Sequence, residues 1–349
     1  MSEQPITGLQ FDLGGDQLGD PRSIEAAATA AEHDGYDGLQ VPETRNDPFI
    51  ALTLAARGSR RIALGTGIAV AFARNPMSTA MLANDLQTVS DGRFQLGLGS
   101  QVQAHIEKRF SMPWSKPAAR MREFIAAIRA IWDSWDTGDR PQFRGEFYTH
   151  TLMSPFFDPG PNPHGHPPIS LAAVGELMTE VAGEVADGCL CHSLTTRRYL
   201  AEVTVPALRR GRATAGRDDV DLGIALAPFV VLGGNQQELD VAILATRKRI
   251  AFYASTPAYR KVLDLHGWAG LHDELYAGSR RGDWDRMATL VTDEMLDEFA
   301  VVGTPAEVAE QLFARYGGVA SRLSFNAPYA VSPETWRDLL GELQRVRGH

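Results

Sequence analysis

Short runs of apolar and β-branched residues alternate along this chain with longer segments of helical period. Eight of the short runs read as strands, at residues 6–13, 38–42, 62–70, 94–98, 168–173, 188–192, 222–232 and 322–326. The helical segments between them have recognisable ends. Residues 21–33 are Ala-rich and stop at Gly35, a C-terminal cap. Residues 75–90 carry Met77, Met81, Leu82, Leu86 and Val89 on one side. Ser115 is placed to cap a long helix over 117–135, with Met121, Phe124, Ile128, Ile131 and Trp132 as its buried stripe. Thr304, Pro305, Ala306 and Glu307 open a further helix with a cap, a proline and an acidic first turn.

Eight strands interleaved with helices fit a closed parallel barrel or a doubly wound sheet. Two stretches break the rhythm. Residues 138–166 are rich in Pro, Gly and aromatics, which predicts a hairpin and an ordered loop. Residues 235–299 read as wholly helical, an insertion between the seventh and eighth strands. Neither resembles a flexible linker, and no repeat or low-complexity tract is present. The expectation is therefore an α/β protein, one domain over residues 1–349, folded as a (β/α)8 TIM barrel with loop insertions. A barrel takes roughly 250 residues, so the length leaves material for both insertions.

Composition narrows the function classes. Hydrophobic residues make up 44% and charged residues 22%, ordinary for a globular protein with a large core. The net charge of −9, from 43 acidic and 34 basic residues, argues against nucleic acid as a partner. No signal peptide and no apolar run of membrane-spanning length is visible. Cys189 and Cys191 are too close in the chain for an ordinary disulfide and too few for a zinc site. The chain reads as a cytoplasmic protein with reduced cysteines.

Several familiar signatures are missing: no G-x-G-x-x-G after a strand, no P-loop, no H-E-x-x-H and no C-x-x-C. The candidate chemistry lies instead at the C-terminal ends of strands, where barrel enzymes keep their active sites. Glu43 follows the second strand, and a carboxylate there can accept a hydrogen bond or move a proton; capping the helix that begins near Pro48 is the alternative. His192 ends the sixth strand and could donate to a ring or a substrate. His105 follows the fourth strand. His164 and His166 lie in a Pro-rich loop, and no metal is expected there.

The run from Ile62 to Pro76, IALGTGIAVAFARNP, and that from Ser90 to Gln101, SDGRFQLGLGSQ, resemble the bacterial luciferase-like monooxygenase family. So do the small-residue turn Ala172-Ala173-Val174-Gly175, the following A-G-x-x-A-D-G from Ala182 to Gly188, and the segment Gly303-Thr304-Pro305-Ala306-Glu307-Val308. Members of that family use reduced FMN or the deazaflavin coenzyme F420, and the stretch from Gly97 to Met121 looks closest to the F420-dependent branch. The resemblance implies a bulge at Gly67-Ile68, often with a non-prolyl cis peptide, behind the cofactor ring. It implies cofactor contacts from Gln10, Asp12, Glu43, Gly67, Ile68, Ala69, Ser100, Gln101, His105, Ala172, Ala173, Val174 and Gly175, with Glu43 and His192 as catalytic groups. Relatives often carry proline where this chain has Glu176, an anion that would compete with a bound phosphate.

The function implied is an F420-dependent oxidoreductase transferring a hydride between the deazaflavin and a small-molecule substrate. The alternatives are an FMN-dependent monooxygenase or a non-catalytic flavin-binding barrel; a homodimer is expected. Relatives that oxidise sugar phosphates carry histidine and glutamate where this chain has Thr44 and Val102. The aromatics Phe72, Phe110, Trp114 and Tyr148 suggest a larger, less polar substrate. Arg45, Arg74, Lys108, Arg109, Arg197 and Arg198 all follow predicted strands and would line a basic rim for the anionic tail of F420.

Overall fold

A computed structural model describes residues 8–14, 20–217 and 223–348. Residues 6, 7 and 222 of the expected strands lie outside the described residues. Eight parallel strands form the barrel: β1 (Gln10–Gly14), β2 (Gly38–Val41), β3 (Ala63–Thr66), β4 (Phe94–Gly99), β5 (Ile169–Ala173), β6 (Gly188–Cys191), β7 (Gly223–Leu226) and β8 (Arg322–Leu323). Each pairs with the next, and β8 pairs with β1, so the ring closes. The expected TIM barrel is the fold, and an open, doubly wound sheet is ruled out.

Alternation along the strands separates two environments. Outward-facing Phe11, Leu39, Leu64, Leu96, Ile169 and Leu171 are fully buried beneath the helices. The inward side carries Gln40, Gln95, Ser170 and Arg322, which help to line a cavity of about 210 Å³ in the N-terminal half of the barrel.

The Gly35 and Thr304 caps are as expected, and two other helix expectations need correction. Met121, Phe124, Ile128, Ile131 and Trp132 of the long helix Pro117–Thr137 are fully buried. Its N-cap position is Lys116, with no side-chain cap bond, so Ser115 does not cap it. In the helix Pro76–Val89 the buried face is Thr79, Ala80, Ala83, Asn84, Leu86 and Gln87, while Met81, Leu82 and Val89 are exposed. Small residues on that face let the long helix approach, and Trp132 donates its indole N–H to Ala80 O (3.2 Å). Of the five expected apolar side chains, Leu86 is buried and Met77 partly buried against the core, while the other three point outward.

The expected seventh strand breaks at Ala227-Pro228, where proline supplies no N–H to a ladder. Beyond the break, Phe229–Leu232 pairs in parallel with Ala300–Gly303. That second strand is absent from the sequence reading, because its four residues directly follow the helix Asp293–Phe299. Between the two strands run Gln236–Ala254, Arg260–Leu265, Ala269–Arg281, Trp284–Thr289 and Asp293–Phe299, packed around Ile250, Leu275, Met287 and Phe299. The other interruption contains an antiparallel hairpin, Phe143–Arg144 with Thr149–His150. Glu123 of the long helix accepts the N–H groups of Glu146, Phe147 and Tyr148 at its tip (2.8, 2.7 and 2.6 Å).

Candidate active site

The site starts where β3 stops. Thr66 donates its hydroxyl to Gly97 O (2.7 Å) and accepts from Gly97 N–H (2.8 Å), so β3 and β4 are tied by a side chain as well as by register. The next peptide, Gly67-Ile68, is cis. Gly67 N–H donates to Val41 O and Ile68 O accepts from Glu43 N–H, both at 2.9 Å, which fastens this bulge to the end of β2. The chain then resumes as the short strand Ala69–Val70 alongside the end of β4.

Glu43 completes the fastening. Its side chain is 9% exposed; the carboxylate accepts from Val70 N–H (2.7 Å) and pairs with Arg74, which also binds Asp47 (2.6 Å). Asp47, not Glu43, caps the helix Pro48–Gly58, accepting from Phe49 and Ile50 N–H. The capping alternative for Glu43 is therefore set aside.

A floor of small residues lies beside the bulge. A Cβ at Gly99 would stand 2.7 Å from Ile68 Cδ1 and 3.4 Å from Ala172 Cβ, so three strand ends converge there. Ser100 and Gln101 follow, half-buried; Gln101 has φ 60° and accepts from Val102 N–H (3.0 Å). Ala173 ends β5 buried, Val174 is exposed, and Gly175 has φ 77° with no atom within 4 Å of where a Cβ would stand. Glu176 opens the next helix, but Arg210 (3.2 Å) and Lys261 (3.6 Å) hold its carboxylate.

His192 directly follows β6 and lies two residues beyond Leu190, which faces the barrel interior. Its Nδ1 accepts from Leu194 N–H (3.0 Å). The ring stacks on Tyr259 (centroids 4.4 Å, 28°) and meets Tyr253 edge-on (4.5 Å, 88°). Burial among these rings pushes its pKa down to about 4. Tyr253 and Tyr259 come from the helical insertion, and the sequence offers no periodic signal that they reach the barrel mouth. Asn326 after β8 donates to Ser193 Oγ (2.9 Å), joining two more strand ends.

Three expected cofactor residues are not brought into this group. Gln10 and Asp12 lie in the N-terminal half of the barrel, both bonded to Arg322, with Asp12 also accepting from Gln40 (3.2 Å). Inward-facing polar side chains of adjacent strand starts satisfy one another there, away from the bulge. His105 is exposed on the short helix Gln103–Lys108, with no side-chain hydrogen bond or ion pair among the described residues.

The expected rim divides. Arg74 is taken by two carboxylates, Arg198 by Glu202, and Arg109 donates to Thr44 O and lies 4.8 Å from the Phe110 ring centroid. Arg45, Lys108 and Arg197 are exposed and carry no ion pair among the described residues. A further cation went unnoticed in the sequence. Arg120, 6% exposed, donates to Tyr148 Oη (2.8 Å) and Pro113 O (2.7 Å), lies 4.4 Å from the Phe72 ring centroid, and pairs with no carboxylate among the described residues. His166 stacks on Trp132 (5.0 Å) and binds Asp136 through Nε2 (2.8 Å), pinning the Pro-rich loop to the long helix.

Known proteins place this arrangement. The chain is 54% identical over 297 residues to an uncharacterized protein of Mycobacterium tuberculosis, covering 85% of this chain and 87% of that one. It is 30% identical over 299 residues to a 5,10-methylenetetrahydromethanopterin reductase of Archaeoglobus fulgidus, covering 83% and 84%. Its fold matches that of the coenzyme F420 dependent tetrahydromethanopterin reductase from Methanopyrus kandleri with a TM-score of 0.77, at 22% identity and 96% and 97% coverage. The family model for luciferase-like monooxygenases matches residues 7–322. This chain belongs to the luciferase-like monooxygenase family.

Proposed function

We propose that this protein is an oxidoreductase that binds coenzyme F420 at the C-terminal mouth of its barrel and exchanges a hydride with an organic substrate. The observation that carries the reading is the floor of backbone and small side chains at Gly67, Ile68, Gly99, Ala172 and Gly175, with open space above Gly175. A flat tricyclic ring fits a surface built mostly of backbone and short side chains, on which Ile68 is the largest of the five. When bound, a deazaflavin would supply the redox chemistry by exchanging a hydride with a substrate carbon, with a proton exchanged with water completing the balance. The names of the archaeal relatives support this cofactor.

The chain's own residues divide the work. Gly67, Ile68 and Ala69 would support the ring, Ser100 and Gln101 would offer it polar groups, and Val174 and Gly175 would border its side chain. Glu43 acts as a positioning residue, through the bulge it holds. Arg210 and Lys261 draw off the charge of Glu176, which lessens its opposition to an anion at that helix start. The barrel and its insertions work as one domain, because Phe229–Leu232 serves both cores: Val230 and Leu232 pack with the barrel, Phe229 and Val231 with the helical insertion.

The chain acts as a homodimer, a reading supported by the exposed Ile50, Met81, Leu82 and Val89 on two packed helices; sedimentation velocity of a monomer would contradict it. No helix among the described residues is long and apolar enough to cross a membrane. Titration of the purified protein with F420 and with FMN, followed by fluorescence, tests the cofactor. Tighter binding of F420 is expected; equal or tighter binding of FMN would sink the assignment in favour of a flavin monooxygenase.

A further inference from the structure

The helical insertion delivers Tyr253 and Tyr259 onto His192, which directly follows β6. Because Nδ1 accepts the Leu194 N–H, it carries no proton of its own. In a neutral ring the proton must therefore sit on Nε2. That atom has no hydrogen-bond partner among the described residues and is not fully buried, which leaves it an unspent donor on a residue that follows the inward-facing Leu190 by two positions at the end of β6. Three observations keep the ring neutral. It is enclosed by two phenol rings, no carboxylate pairs with it among the described residues, and the groups following it, Ser193 and Leu194, are uncharged.

From this geometry we infer that His192 is a fixed Nε2–H donor to the substrate, and that the substrate offers it an uncharged acceptor, a carbonyl or imine, rather than a phosphate or carboxylate. The inference rests on the reading of the mouth as a redox site and adds the substrate class. A phosphate or carboxylate binds best against a cation, and a neutral imidazole walled by Tyr253 and Tyr259 supplies none. An uncharged carbonyl needs one directional donor and an apolar wall, which is what these residues provide. The depressed pKa of His192, about 4 from burial, agrees. A neutral imidazole N–H is too weak an acid to give up its proton, so His192 orients and polarises the acceptor, and the proton that completes the reduction comes from water.

The test is made on the full chain without cofactor, so that its failure is separable from a failure to bind F420. Histidine rings are labelled with nitrogen-15, and His192 is identified by the resonance lost in His192→Phe. Expected is a neutral Nε2–H tautomer throughout roughly pH 5 to 8. Cyclohexanone should move the Nε2 resonance and bind about tenfold more weakly to His192→Phe. His192→Gln, which keeps an N–H donor, should recover most of that loss. Cyclohexyl phosphate, with the same ring but an anionic head, should bind more weakly than the ketone. An Nδ1–H tautomer, an imidazolium near neutral pH, no response to cyclohexanone, or tighter binding of the phosphate would each overturn the proposal.

Discussion

At the residue scale, Glu43 and His192 are held by different kinds of partner. Glu43 pairs with Arg74 and accepts the Val70 N–H. Glu43→Gln keeps an acceptor but loses the ion pair, so stability should fall by only about 1–2 kcal/mol. The bulge it fastens should shift, and turnover with F420 should fall about 10- to 100-fold. Arg74→Met should act in the same direction, and the double variant should be little worse than the poorer single one. Melting curves and steady-state rates on the same samples check this; a large loss of stability with intact turnover would leave Glu43 a purely structural group. His192 is held by two phenol rings and gives up its charge. Its folded pKa, about 4, lies below its ordinary value of 6.5. Its contribution to stability is thus complete above about pH 6.5 and declines as pH falls, because the unfolded chain takes up the proton first. The loss amounts to at most roughly 3 kcal/mol by pH 4. Urea denaturation at neutral pH and near pH 4.5 should show a smaller acid loss in His192→Phe than in the native protein; equal losses would contradict the burial account. Both residues stood out in the sequence because each follows an apolar strand. Their partners did not: Arg74 is 31 residues from Glu43, and Tyr259 lies in a separate insertion, so only the closed barrel brings them together.

At the scale of elements, what the sequence made legible depended on whether the signal was local. The barrel strands were, since each is a short apolar run bounded by turn residues. The capping box at Thr304 and Glu307 was too, because its reciprocal bonds span three residues. The buried face of the helix Pro76–Val89 was not, because alanines give a weaker pattern than methionines yet permit closer packing. Strand β4 shows how glycines divide between fold and site. A Cβ at Gly97 would lie 1.9 Å from Thr66 O, a backbone atom locked by the Thr66 hydroxyl bonds. Gly97→Ala should therefore cost about 3 kcal/mol or more, or give insoluble protein. At Gly99 the first obstacle is Ile68 Cδ1 at 2.7 Å, the far end of a flexible side chain. Gly99→Ala should fold at a cost of about 1 kcal/mol and push Ile68 towards the ring, weakening F420 about tenfold. Thermal melts and F420 titration of the two variants would separate these outcomes. Similar stability losses at both positions would mean that β4 moves as a rigid body.

At the scale of the whole molecule, the net charge of −9 would work against the proposed F420, whose tail is a polyanion, so local placement of cations would have to outweigh the average. F420 and FMN share a tricyclic ring, and the small-residue floor cannot separate them. The tail can, because F420 carries a phospholactyl group extended by glutamates. Of the six cations of the expected rim, Arg74, Arg109 and Arg198 are already engaged within the protein, so Arg45, Lys108 and Arg197 are the ones available to such a tail. They come from the connections after β2, β4 and β6, on the face where the bulge and His192 also lie. Exposed charges a Debye length of about 8–10 Å from their target are strongly screened at physiological salt. Replacing all three by alanine should therefore weaken F420 several-fold at low ionic strength and much less at high ionic strength. FMN, with a single phosphate, should change less at either. Stability should stay nearly constant, since these side chains carry no ion pair among the described residues. Fluorescence titration of native and triple-variant protein with both cofactors at two salt concentrations gives the comparison. An F420 affinity that ignores both salt and substitution would remove the rim from the account, and equal effects on both cofactors would leave the tail without a role in choosing between them.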